Sequence, residues 1–197
     1  MSGWPCAFAH GFALDFRARY WHILPPMKIP ENIFLIGPMG VGKSTIGRQL
    51  AKLLSKEFMD TDYEIEKRTG VDIPTIFDIE GEEGFRKREA AVVEEMTSGS
   101  NLVLATGGGV ILREDNRRAL RRGFVVYLSA SLDTLIERTR RDKSRPLLQN
   151  TDRQKKIEEL MAERDPIYRQ ESDIIVETDG RSAKAVAKEI VDQLKAA

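Results

Sequence analysis

The sequence predicts an α/β fold, a mostly parallel sheet wrapped by helices. Three observations carry that prediction. From Asn32 onward, short β-rich runs alternate with helical patterns. The apolar runs are continuous, as expected of strands covered on both faces. One strand passes through a glycine-rich turn directly into a helical pattern. Alternating β and α segments of this kind build a parallel sheet between helical layers.

The first strand is Ile33–Ile36, followed by "GPMGVGKS" from Gly37 to Ser44 and by a helical stripe of Ile46, Leu50, Leu53 and Leu54. A short second strand lies near Phe58-Met59. Thr69–Met96 is then a long, mostly helical excursion that starts again after Gly81. The third strand, Leu102–Thr106, ends on Gly107-Gly108-Gly109. The fourth, Phe124–Leu128, leads toward Arg138–Arg153, a stretch dense in arginine and interrupted by Pro146. A fifth strand, Ile174–Val176, precedes a final stripe of Ala183, Val186, Ala187, Ile190, Val191 and Leu194. The two excursions fall where ligands bind in such sheets, outside the carboxyl ends of the strands. There are no internal repeats and no low-complexity tract.

At 197 residues the chain suits one domain with a real core and no need of disulfides. Its 31 basic and 31 acidic residues balance, so no overall field attracts nucleic acid or an anionic membrane, and anion binding must come from a local site. One cysteine, Cys6, cannot form an internal disulfide, which fits a reducing, cytoplasmic setting. No apolar run approaches the roughly 18 residues that span a bilayer.

Residues 1–26 differ from the rest. They hold both tryptophans, both histidines and the cysteine, and end in Pro25-Pro26. Phe8, Phe12, Phe16 and Tyr20 recur at helical spacing, but no secretory signal is clear. The expectation is a poorly ordered extension, or an upstream start ahead of a natural beginning at Met27; a docking helix is the sharper alternative.

Gly37 to Ser44 fits G-x-x-x-x-G-K-[ST] after a strand and before a helix, the context that pattern requires. Glycines let successive N–H groups converge on phosphate oxygens, and the helix N-terminus adds partial positive charge. Lys43 then reaches the β- and γ-phosphates, and the Ser44 hydroxyl is a Mg²⁺ ligand. The motif signals a nucleoside triphosphate without naming the phosphate acceptor.

Several residues are candidates for the acceptor side. Thr61 with Glu64 reads as a capping box. The functional reading of Asp60-Thr61-Asp62 instead sets Asp60 near the metal and Asp62 against a substrate hydroxyl, to accept its proton or orient its oxygen. Arg86 and Arg164 are each, taken alone, ordinary solvated helix residues. As a pair they suit bidentate capture of a carboxylate. Three successive glycines after a strand are costly in entropy, so close approach of backbone N–H groups to a small ligand explains Gly107–Gly109 better than a turn. The segment around Arg145 suits a lid that closes over the phosphates, or a charged surface loop.

Together, "GPMGVGKSTIGRQLA", "FMDTDYEIEKRTG", "EGEEGFRKREAAVV", "LATGGGVI", "RRDKSRPLL" and "MAERDPIYR" resemble, in order and spacing, the shikimate kinase family from Lys28 to the C-terminus. The resemblance implies a three-layer α/β/α P-loop NTPase fold with a five-stranded parallel sheet. It implies one kinase domain over residues 27–197, with a substrate-binding helical insertion at about 61–97 and a lid at about 138–153. It further implies transfer of the ATP γ-phosphate to the 3-hydroxyl of shikimate by a cytoplasmic monomer, with Mg²⁺ and without nucleic-acid or membrane partners. By resemblance, Gly40, Val41, Gly42, Lys43, Ser44 and Thr45 cradle ATP, and Ser44 and Asp60 serve the metal. Asp62, Arg86, Gly108 and Arg164 bind shikimate, with Asp62 as base, and Lys43 and Arg145 join it in catalysis. Arg138, Arg145 and Arg181 match nucleotide-contacting positions. A gluconate-type kinase of the same fold and a non-catalytic ligand sensor are the rival expectations. The arginine pair speaks against the first. Against the second, 26 non-basic leading residues are too few for a helix-turn-helix unit.

Overall fold

A computed structural model describes residues 29–140, 146–148 and 152–196. The expected extension at 1–26 and Arg145 lie outside the described residues, as does part of the expected lid. Five strands, β1 (Ile33–Ile36), β2 (Glu57–Asp60), β3 (Leu102–Ala105), β4 (Phe124–Ser129) and β5 (Ile174–Glu177), form one sheet in the order β2-β3-β1-β4-β5. Every pairing is parallel. Seven helices accompany them among the described residues: α1 (Lys43–Leu54), α2 (Thr61–Thr69), α3 (Ile73–Thr97), α4 (Glu114–Leu120), α5 (Leu132–Thr139), α6 (Arg153–Gln170) and α7 (Ala183–Leu194).

The continuous apolar strands behave as predicted at the centre of the sheet. All four residues of β1 and of β3 are buried. Alternate side chains feed two cores, one on each face. Ile33 and Leu35 pack with Leu50 of α1 and Val186 and Ile190 of α7, while Phe34 and Ile36 pack with Val93 of α3 and Tyr168 of α6. Each such fully buried side chain contributes about 1.5–3 kcal/mol. Double coverage does not extend to the edge strands. In β2 the leading residue is exposed and the rest are half-buried, and in β5 only Val176 is buried, because each has one neighbouring strand and less helix above it. The α1 stripe is narrower than predicted: Ile46 and Leu50 are buried and Leu54 packs at the margin, but Leu53 is 49% exposed.

Helix starts follow capping chemistry. The side chains of Asp60, Asp72, Ser131, Asp152 and Ser182 accept first-turn N–H bonds at α2, α3, α5, α6 and α7. At α2 the cap is Asp60, not the expected Thr61 of a capping box. Thr61 is the first helical residue, and its hydroxyl accepts from the Gly107 N–H at 3.0 Å. The restart after Gly81 is a break within α3, where Gly81 sits at φ 69°. α1 and α4 have no side-chain cap, and α1 starts on Gly42, which leaves its first N–H groups facing the loop that precedes it.

Candidate active site

The β1–α1 loop owes its shape to glycine. Gly37, Gly40 and Gly42 have φ of 138°, 79° and 104°, which ordinary side chains rarely adopt. Lys43 is buried, and its ammonium donates to the carbonyls of Gly37 and Pro38 at 2.8 Å each. The cation is thereby fixed across the loop beside the uncapped N-terminus of α1. Converging N–H groups with a fixed cation fit the phosphates of a nucleoside triphosphate. Arg138 braces the loop from α5: it donates to the Val41 carbonyl at 3.0 Å and to the Thr178 hydroxyl at 3.2 Å. Arg181 lies farther out, donating to the Glu177 carbonyl at 3.1 Å and pairing with Glu189.

Next to Lys43, the Ser44 hydroxyl donates to Asp60 Oδ2 at 2.6 Å, while Asp60 Oδ1 caps α2. Serine and aspartate offer hard oxygen donors, and Mg²⁺ takes one or two such protein groups and completes its shell with phosphate and water. Among the described residues no cluster of three or more acidic, histidine or cysteine side chains is placed to hold a metal. The pair therefore fits Mg²⁺ bound together with nucleotide better than a metal caged by protein alone.

On the other side of Met39 lies a cleft enclosing about 490 Å³ up to its open mouth. Asp62, Arg86, Glu89, Gly108 and Arg164 line it, with Phe77 and Phe85 as apolar wall. The plainer reading of the two arginines fails, because Arg86 is 9% and Arg164 5% exposed. Arg86 Nη1 donates to Glu89 Oε2 at 2.8 Å and Nη2 to Glu82 Oε1 at 2.9 Å. Arg164 Nη1 donates to the Gly108 carbonyl at 3.4 Å, and its Nε is buried without a partner. Arg86 is already matched by two carboxylates, whereas Arg164 keeps a buried nitrogen unpartnered, and the two guanidinium groups in one cleft suit an anionic ligand.

The three glycines explain how the loop fits. A Cβ on Gly107 would lie 2.7 Å from Glu89 Oε1 and 2.9 Å from Asp62 Oδ1, and one on Gly109 would fall on the Arg86 guanidinium. A Cβ on Gly108 would lie 3.2 Å from the Met39 backbone N, so this loop also rests against the phosphate loop.

Sequence reasoning missed Glu89. It is fully buried, its Oε1 has no partner, and burial pushes its carboxyl upward against the opposing pull of Arg86. The signal was available: Phe85, Glu89, Val92 and Met96 recur at helical spacing on α3, so a charge stands in an apolar stripe. Tyr168, whose hydroxyl donates to the Gly108 carbonyl, was missed as well.

Phosphate-binding backbone on one side of Met39 and a guanidinium-lined cleft on the other divide the labour as a P-loop kinase for a small molecule does. The family model described as shikimate kinase matches residues 39–195. The chain is 54% identical over 169 residues to a shikimate kinase of Halorhodospira halophila, covering 85% of this chain and 96% of that one. It superposes on the shikimate kinase from Acinetobacter baumannii in complex with shikimate with a TM-score of 0.83 and 48% identity, covering 84% and 93% of the two chains. A gluconokinase from Sinorhizobium meliloti shares the fold, with a TM-score of 0.56 and 17% identity over 85% of this chain and 93% of that one. This chain belongs to the shikimate kinase family.

Proposed function

We propose that the cleft and the phosphate loop together carry out ATP-dependent phosphorylation of the 3-hydroxyl of shikimate, giving shikimate 3-phosphate and ADP, a step of chorismate biosynthesis. The observation that carries the site assignment is the pair of buried arginines facing one cleft beside the phosphate loop.

Arg86 and Arg164 take the substrate carboxylate, and the Gly108 backbone fixes the ring. Asp62 accepts the proton of the attacking hydroxyl as the new O–P bond forms and the bond to the departing ADP oxygen breaks. Lys43, with the N–H groups from Gly40 to Thr45, neutralises charge on the transferring phosphoryl group and the leaving oxygen. Ser44 and Asp60 would hold Mg²⁺, which would supply charge neutralisation on the phosphates. Arg145, Arg138 and Arg181 complete the nucleotide side in this reading. Arg138 is the best supported of the three, since it already braces Val41. The apolar wall and a lid over about 138–153 exclude water, so that phosphate passes to shikimate and not to solvent.

We further propose that residues 27–197 are the working domain, that residues 61–97 form the substrate-binding insertion, and that the enzyme is a cytoplasmic monomer without nucleic-acid or membrane partners. The zero net charge supports the last point. The test of the function is ADP release by the full chain against shikimate, gluconate and nucleoside monophosphates, with Asp62→Asn alongside. Turnover with shikimate alone is expected, and Asp62→Asn should lower kcat far more than ATP affinity. Equal turnover with gluconate, or an unchanged rate in the variant, would refute the substrate or the base assignment respectively.

A further inference from the structure

Arg164 and Tyr168 lie one turn apart on α6 and reach the same atom. The Tyr168 hydroxyl and Arg164 Nη1 both donate to the Gly108 carbonyl, the arginine at the weak distance of 3.4 Å. Tyr168 is fully buried, and its ring stacks on Tyr127 with centroids 5.0 Å apart. Tyr127 is itself tied to Asp165 by a 2.6 Å hydrogen bond. Burial and the stacked ring, rather than that hydrogen bond, hold Tyr168 in place with its hydroxyl on the Gly108 carbonyl. Burial also pushes the phenol well above its ordinary range, so it stays a donor at any assay pH.

The loop it reaches has little rigidity of its own. Gly107, Gly108 and Gly109 are consecutive, and glycine restrains neither φ nor ψ. The Gly107 and Gly109 carbonyls are taken by the N–H groups of Val110 and Leu112. Among the described residues, the Gly108 carbonyl is held only from α6, by side chains. A donor on that oxygen sets the plane of the Gly108–Gly109 peptide, and so where the N–H at its other end points.

We propose that Tyr168 is a positioning residue for the substrate: its hydroxyl orients the Gly108 peptide toward the cleft and leaves Arg164 free to turn from that carbonyl to the substrate carboxylate. The inference rests on the assignment of Gly108, Arg86 and Arg164 to substrate binding. Without the hydroxyl the loop loosens, and Arg164 becomes the sole donor to Gly108. Substrate must then compete for that arginine. Both effects weaken shikimate binding and neither touches the nucleotide.

The test is steady-state kinetics on Tyr168→Phe, which keeps the buried ring, beside Tyr127→Phe and Arg86→Lys. Tyr168→Phe should raise KM for shikimate about five- to tenfold, the cost of one buried hydrogen bond, with KM for ATP and kcat within about twofold. Tyr127→Phe removes the neighbouring hydroxyl of the same stack and should leave KM for shikimate unchanged, whatever it does to the melting temperature. 4-Aminophenylalanine at position 168 restores an N–H donor and should bring KM back toward wild type. If Arg86→Lys raises KM while Tyr168→Phe does not, or if Tyr127→Phe matches Tyr168→Phe, the positioning role is overturned and the clamp stands. If Arg86→Lys leaves KM unchanged, the clamp assignment fails and the inference falls with it.

Discussion

Replacing Arg86 with methionine should destabilise the fold as well as weaken substrate binding, and the size of the loss follows from Glu89. That carboxylate is fully buried, and Arg86 is its hydrogen-bonded counter-charge at 2.8 Å. Methionine keeps the apolar stem of the side chain but carries no donor, so Glu89 is left buried without its hydrogen-bonded counter-charge. Breaking a buried pair in this way costs about 3–5 kcal/mol. At about 2–4 °C per kcal/mol for a chain of this size, the melting temperature should fall by about 6–20 °C. The loss must also depend on pH. Glu89 has its folded-state pKa raised by burial, and losing Arg86 removes the chief force opposing that rise. A carboxyl raised in the folded state binds more protons there than in the unfolded chain, so stability falls as pH rises from the unfolded value toward the folded one. The gap between wild type and Arg86→Met should therefore be smaller at pH 5 than at pH 8. Denaturant unfolding at the two pH values checks this. Adding Glu89→Gln should rescue much of the loss and flatten the pH dependence, with a coupling energy of about 2 kcal/mol, toward the upper end for residues in contact. A gap identical at pH 5 and pH 8, or a cycle additive within about 0.5 kcal/mol, would show that Glu89 carries no uncompensated charge.

Gly109→Ala should raise KM for shikimate at least about tenfold, a cost of about 1.4 kcal/mol, and should also lower the melting temperature, because the displaced guanidinium loses its pairing with Glu89. Gly109 has φ −99°, which alanine tolerates, while the new Cβ falls on the Arg86 guanidinium; unchanged KM would mean Arg86 is not held where substrate needs it. Asp60→Asn should leave the melting temperature nearly unchanged, because asparagine caps a helix about as well as aspartate. The Mg²⁺ concentration for half-maximal activity should rise severalfold, and superimposable Mg²⁺ titrations would remove Asp60 from the metal. Deleting residues 1–26 should leave kcat and both KM values within about twofold, because the family model matches from residue 39 onward; loss of activity would make that segment part of the enzyme.

The sheet was legible because its central strands are continuous apolar runs, and β1 is the clearest case. The edge strands were less so, since Glu57 opens β2 and Glu177 closes β5 with charges that local pattern alone assigns to loops. The phosphate loop was legible because backbone chemistry demands glycine at fixed spacing. Arg86 and Arg164 stand out as residue types, but their burial is a tertiary fact, and α3 must pack against the Gly107–Gly109 loop before it exists. Glu89 was missed although it stands as a charge in an apolar stripe. Tyr168 gave no such signal, because a tyrosine on an apolar helix face is an ordinary core residue until its hydroxyl meets Gly108.

The chain's economy lies at the junction of β2 and α2. Asp60 accepts from Ser44 on the nucleotide side and caps α2, Thr61 holds the Gly107 N–H, and Asp62 lines the acceptor cleft. On the proposed assignment, three consecutive residues thus tie the metal position, the glycine loop and the attacking hydroxyl to one helix start. From the other direction, Gly108 rests on the backbone of Met39, so the acceptor loop and the phosphate loop touch without an intervening side chain. In-line transfer needs donor and acceptor oxygens aligned to within a fraction of an ångström. Two loops that meet backbone to backbone, braced by one helix N-terminus, meet that demand with few flexible side chains between them. On the proposed assignment, a glycine at position 108 answers two constraints at once, the approach of substrate and the approach of Met39, and the glycine run belongs to the kinase geometry and not merely to a turn.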